Sequence, residues 1–168
     1  MPRLIKLADS VAAYADDSFV NVTDEDAIPE AGDVILSLTR FQAEGDELLS
    51  SNSRKVGVRI ESNEEVEALA YDLPRLAVVA VAFPKFRDGR AYTSARLLRE
   101  RLGFTGEVRA VGDVLQEQLG FMLRCGFDAF EPADATTPET LTKAAGRFRH
   151  VYQRAADDRA VAFEERLG

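Results

Sequence analysis

Five short runs of β-type apolar residues recur along the chain: VILSL (34–38), KVGVRI (55–60), LAVVAVAF (76–83), EVRAVG (107–112) and DAFEP (128–132). The third is almost continuous in apolar side chains, which predicts a strand covered on both faces. Between the runs the spacing changes to a helical one. Ser62 and Glu65 fit an S-x-x-E capping box, and Val66, Leu69, Ala70 and Leu73 follow at helical intervals. Ala91, Ala95, Leu98 and Leu102 share one helical face that Gly103 is placed to end. Asp113 and Gln116 form a second cap pair, followed by Leu115, Leu119, Met122 and Leu123, with Gly126 as the stop. Thr137-Pro138 opens a last helix whose buried positions are expected to be Leu141, Ala144, Ala145, Phe148 and Tyr152. The segment 41–52 reads both ways, since Leu48 and Leu49 ask for burial while Gly45 weakens a helix.

Strand and helix alternating in units of roughly 20–30 residues predict right-handed βαβ crossovers and a parallel sheet. The expected class is α/β, built either as a partial, half TIM-like barrel or as an open, doubly wound five-stranded sheet. A partial barrel leaves edges that need a cover or a second copy, so a homo-oligomer is one expectation. RLIKL (3–7) and SFVNV (18–22) are candidates for a short antiparallel N-terminal hairpin over such an edge. The length fits a single domain over residues 1–168. Residues 1–31 form its hairpin and acidic segment, 32–153 its βα core and 154–168 a helical tail.

Charge narrows the partners. The net charge is −8, which argues against nucleic acid or anionic lipid, both of which select a basic footprint. No run is long and apolar enough for a membrane helix, and the first residues lack the apolar core of a secretory signal. The single cysteine, Cys125, excludes an internal disulfide framework and a CxxC motif. These features point to the cytoplasm. Residues 16–47 hold ten acidic side chains and one basic one, Arg40. That stretch reads as a solvated surface or as a docking face for a basic protein.

The balance reverses at AFPKFRDGRAYTSARLLRERLGFTGEVRAVGD (82–113). The run 76–83 delivers PKFRDGR to the carboxyl ends of the parallel strands, the face that carries ligands in either architecture. Lys85 offers a point charge, and Arg87 and Arg90 offer planar forks for sulfate, phosphate or carboxylate. Asp88 caps the next helix or holds one of the arginines. Glu61, Asn63, Asp113 and Glu131 are expected on the same face. Arg109 lies within a strand, either as part of the anion site or in an ion-pair network with Asp88, Asp113 or Glu131. The expected anion-binding set is therefore Lys85, Arg87, Asp88, Arg90, Arg109 and Asp113. Arg96, Arg99 and Arg101 read as the wet face of a helix. His150, the only histidine, reads as a surface or packing residue, and Cys125 as a small core residue. No Walker loop, GxGxxG, iron–sulfur or metal-ligand pattern occurs, and no cofactor is expected.

Phe86, Asp88, Gly89 and Arg90 (F-x-DGR), Ser94, Ala95, Leu98 and Arg99, then Gly106, Glu107, Arg109, Ala110, Gly112 and Val114, and finally Gln118, Arg124, Gly126 and Phe127 form one long pattern. It resembles an uncharacterised bacterial family, domain of unknown function 934, whose members are described as oxidoreductases involved in sulfite reduction. The likeness extends over about residues 32–131. It implies an association with assimilatory sulfate reduction, and sulfite reductase or phosphoadenosine-phosphosulfate reductase as partners. It leaves open whether the chain is an accessory protein that binds a small anion or a partner enzyme, or an enzyme acting on a sulfate- or phosphate-bearing substrate with Asp113 or Glu131 as the acid–base group.

Overall fold

The computed structural model describes residues 3–51, 53–157 and 159–167. Met1 and Pro2 at the start, Asn52 at the end of the two-way segment, and Asp158 and Gly168 of the tail lie outside the described residues. The strands are β1 (Ile5–Ala8), β2 (Val11–Tyr14), β3 (Phe19–Val22), β4 (Asp33–Ser37), β5 (Val56–Ile60), β6 (Val78–Phe83), β7 (Glu107–Gly112) and β8 (Ala129–Phe130). They form one sheet in the order β2-β1-β8-β7-β6-β5-β4-β3. Strands β3 to β8 are parallel, and β1 runs antiparallel to both β8 and β2.

The six parallel strands lie in chain order, so there is no reversal point of the kind a doubly wound sheet requires. The sheet is a curled half-barrel. Its curl follows from chain length. Only residues 15–18 connect β2 to β3, which sit at opposite ends of the sheet. Fully extended, the path from Tyr14 to Phe19 reaches at most about 18 Å. A flat eight-stranded sheet would part its edges by roughly 34 Å. The connecting strap therefore holds the two edges towards each other.

Alternation along the strands divides the core. Val34, Leu36, Val58, Ile60, Val79, Val81, Phe83, Val108 and Ala110 face the helices. Ile35, Val78, Ala80, Ala82 and Val111 line the concave side, with Phe19 packed against them. Helix α1 (Leu38–Ser50) begins at Ser37, whose hydroxyl accepts the Arg40 N–H. Helix α2 (Arg90–Arg96) runs on through a π turn at Leu97–Arg101 and buries Ala91, Ala95 and Leu98. Helix α3 (Leu119–Cys125) buries Leu119, Met122 and Cys125 and stops at a left-handed Gly126. Helix α4 (Pro138–Gly146), capped by Thr137, packs Leu141 into the same core. Its Thr142 hydroxyl accepts the Ala12 N–H of β2. A last turn, α5 (Ala162–Glu165), lies in the tail. Each large side chain fully buried here, such as Phe83, Ile60 or Leu98, contributes about 1.5–3 kcal/mol.

Several sequence expectations are corrected. The N-terminal hairpin joins β1 to β2, and SFVNV supplies β3, a parallel strand on the opposite edge. RLIKL and SFVNV do both form strands, β1 and β3, and the one strand not expected is β2. Residues 41–52 are helical up to Ser50, because Gly45 packs under the Phe41 ring, where a Cβ would come within 2.5 Å of a ring carbon. The run after Ser62 forms only short 3-10 turns, at Val66–Leu69 and Leu73–Arg75. Helix α4 ends at Gly146, which leaves Phe148 and Tyr152 65% and 95% exposed instead of buried.

Candidate functional site

The loop 84–90 leaves β6 at the carboxyl end of the parallel strands and returns into α2. Its shape is fixed by its neighbours. The Asp88 N–H bonds the Lys85 carbonyl at 2.9 Å, which closes a turn. The Phe86 N–H donates to Asp113 Oδ2 at 2.7 Å, and Gln118 Nε2 donates to the Phe86 carbonyl at 3.5 Å. Gln118 is buried, and its Oε1 also accepts the Leu115 N–H at 3.0 Å. Asp113 is thus a loop anchor, not the helix cap that D-x-x-Q suggested, and Gln118 fills the capping role. Asp113 reaches the loop because β7 comes close to β6 at Gly112. There φ is +93°, and a Cβ would lie 2.5 Å from the Phe83 carbonyl oxygen.

Within the loop, Arg90 faces Asp88 with a two-pronged contact, Nε to Oδ1 at 2.9 Å and Nη2 to Oδ2 at 2.7 Å. Nη2 also donates to the Ser62 hydroxyl at 3.0 Å, so Ser62 joins β5's exit to the loop instead of capping a helix. The Arg90 guanidinium, and then Ser62, hold the Asp88 carboxyl far below the usual carboxylate range. Asp88 in turn raises Arg90. Lys85 and Arg87 are exposed and make no ion pair among the described residues. Together with Pro84, Asp88, Gly89 and Arg90 they line an open depression of about 610 Å³.

Arg109 sits elsewhere, fully buried on the concave side of β7. Its guanidinium donates to Glu107 at 2.7 Å, to Glu131 at 2.9 Å and to both Asp17 oxygens at 2.7 and 3.2 Å. Glu107 also pairs with Lys6 of β1 at 2.6 Å. Of the partners expected for Arg109, the structure brings only Glu131. Asp113 and Asp88 are engaged in the loop, while Asp17 arrives on the strap. Glu61 pairs with Arg59 of β5 at 2.7 Å, and Asn63 is exposed.

Arg99 departs from the expected wet face. It donates to the carbonyls of Gly126, Phe104 and Gly106 and to Asp128, bracing α2 against the turns around β7 and β8. Arg96, by contrast, pairs with Glu100 one turn along. Cys125 is buried, and burial pushes its thiol up to about 11. His150 is exposed beside Glu165. The acidic stretch is partly structural. Asp33 accepts the Lys55 N–H and the Ser18 hydroxyl, which hold its carboxyl below the ordinary value, and Asp26 accepts the N–H and hydroxyl of Thr23. No group of three His, Cys, Asp or Glu side chains among the described residues is arranged to hold a metal ion, and no described helix is long and apolar enough to cross a membrane.

No curated protein matches the chain. Residues 57–163 match the model of a family described as "bacterial protein of unknown function (DUF934)". The matched span runs from β5 into α5 and includes the whole of the basic loop and its anchors, Asp113 and Gln118. Covering more than half of the sequence, the match makes this chain a member of that bacterial family.

Proposed function

We propose that the protein is a noncatalytic accessory of assimilatory sulfate and sulfite reduction that binds a small anion or a partner reductase through the loop 84–90. The resemblance of residues 86–127 to that family supports the role. The carrying observation is the pair Lys85 and Arg87: two exposed cations, unpaired among the described residues, on a loop held at both sides of Phe86. In a chain of net charge −8 such a pair is a local exception that draws anions. Arg90, Asp88 and Asp113 keep the loop in shape, and Arg109 holds the sheet beneath it. This reading assigns the protein to the cytoplasm, with sulfite reductase and phosphoadenosine-phosphosulfate reductase as the reductases to try first.

Calorimetric titration of the full chain with sulfate, phosphate and adenosine phosphosulfate, at low and moderate salt, tests the anion half of the proposal. Retention of purified sulfite reductase or phosphoadenosine-phosphosulfate reductase on the immobilised chain tests the partner half. Binding tighter than about 1 mM that weakens with salt and is lost in Lys85→Ala/Arg87→Ala is the expected result. Absence of both binding and retention overturns the reading. The alternative, an enzyme using Asp113 or Glu131 as its acid–base group, asks those carboxylates to leave the Phe86 N–H and Arg109, and no observation favours it.

A further inference from the structure

The loop's two exposed cations do not stand alone. The Phe86 ring is 48% exposed, and Phe121 of α3 is 60% exposed. Both belong to the surroundings of Gln118. Its side-chain nitrogen holds the Phe86 carbonyl, and Phe121 follows one helical turn later. The Phe121 ring lies 4.8 Å from that of Tyr92, and Tyr92 lies 5.1 Å from Phe83, the last residue before the loop. Lys85, Phe86 and Arg87 are consecutive. Exposed cations and an exposed aromatic ring thus alternate along one loop, and a second exposed ring stands on the helix whose amino end holds that loop.

A site made for a free sulfate or phosphate converges its donors and encloses the ion. The depression is open, and Nε and Nη2 of Arg90 are already committed to Asp88 and Ser62. A small oxyanion would also leave Phe86 and Phe121 uncovered. Aromatic side chains and arginine are the residue types enriched at the centres of protein interfaces. Pinning Phe86 on both sides lowers the ordering cost of docking.

We infer that this face docks a segment of a partner protein in which acidic residues flank aromatic or large aliphatic side chains. The acids answer Lys85 and Arg87, and the apolar side chains cover Phe86 and Phe121. The inference rests on the loop being the recognition surface, as proposed above, and names what it recognises.

A peptide-display library panned on the immobilised full chain tests it, followed by anisotropy titration of the most enriched peptide against the full chain. Enrichment of Asp or Glu beside Phe, Trp or Leu is expected. The peptide should bind about tenfold more weakly to Phe86→Ala and to Arg87→Glu, two exposed positions, and more weakly to the wild-type chain at high salt. Enriched peptides without acids, wild-type affinity in either variant, or stronger binding of a single-stranded oligonucleotide used as control would each overturn the inference. Sulfate titration separates the two ideas. Sulfate binding without peptide binding sinks the docking inference and leaves the anion reading standing. Peptide binding without sulfate binding upholds docking and removes the small-anion half of the proposed function.

Discussion

Asp17 and Arg109, ninety-two positions apart in sequence, meet inside the curl of the sheet, the carboxylate presenting both oxygens to the two terminal nitrogens of the guanidinium. Asp17 belongs to the four-residue strap and Arg109 to β7, so the contact ties the closure of the sheet to its middle.

Replacing Arg109 with Met is expected to be severe. It leaves Asp17, Glu107 and Glu131 crowded without their shared cation, and breaking one side of a buried ionic network typically costs about 3–5 kcal/mol. Asp17→Asn is expected to cost only about 1 kcal/mol, since two carboxylates remain on Arg109 and the site of Asp17 is partly wet. Urea unfolding midpoints with unchanged slopes would measure both.

The loop has a defined acid limit. The folded Asp88 carboxyl is depressed by Arg90 and Ser62, so its stabilising contribution is complete above the unfolded value near ~3.9 and is lost as pH falls towards the lower folded value. In a carboxyl-carbon NMR titration, Asp88 should still be ionised at about pH 3, where an ordinary aspartate is mostly protonated. Arg90→Ala should move its midpoint up towards the ordinary range.

Cys125 should be inert. With burial holding its thiol at about 11, little thiolate forms near neutrality, and the helix end it occupies does not favour one. A chromogenic disulfide reagent should react with it slowly in the native protein at pH 8 and at once in denaturant. Cys125→Ala should cost about 1–2 kcal/mol through the lost packing and leave anion or peptide binding intact.

Gly112→Ala should unsettle the loop from outside it. The new Cβ meets the Phe83 carbonyl, and the φ of +93° is strained for any L side chain, together costing about 1–3 kcal/mol. Faster amide exchange at Phe86, whose N–H depends on Asp113 next door, is the specific readout.

What could be read in the sequence was local. Strands β5, β6 and β7 announce themselves as apolar runs, and Thr137-Pro138 and Gly126 mark helix ends by chemistry that acts within a few residues. The β1–β2 hairpin escaped because Asp9 and Ser10 take the positive φ angles that Asn-Gly or Gly-Gly would have advertised. Arg96 and Arg99 are indistinguishable by composition, yet one makes a helical-surface pair and the other a four-way brace. The partners that decide this, Gly126 and Asp128, lie nearly thirty residues on. The loop's basic residues were visible. Its support by Asp113 and Gln118 depended on which elements the fold brings side by side.

The placement of β1 has a kinetic consequence. Its hairpin partner, β2, follows at once, but its other neighbour, β8, ends at Phe130. During synthesis each strand from β4 to β8 can join its predecessor as it appears, whereas the β1–β8 seam cannot form until most of the chain has been made. That seam is a long-range closure onto a two-residue strand, a class of contact that loop-closure entropy makes slow to gain. Until then the nascent sheet presents the open side of its newest strand. A chaperone that shields strand edges would find its longest-lived target in this protein there, ahead of the moment when the amino-terminal hairpin swings in to seal it.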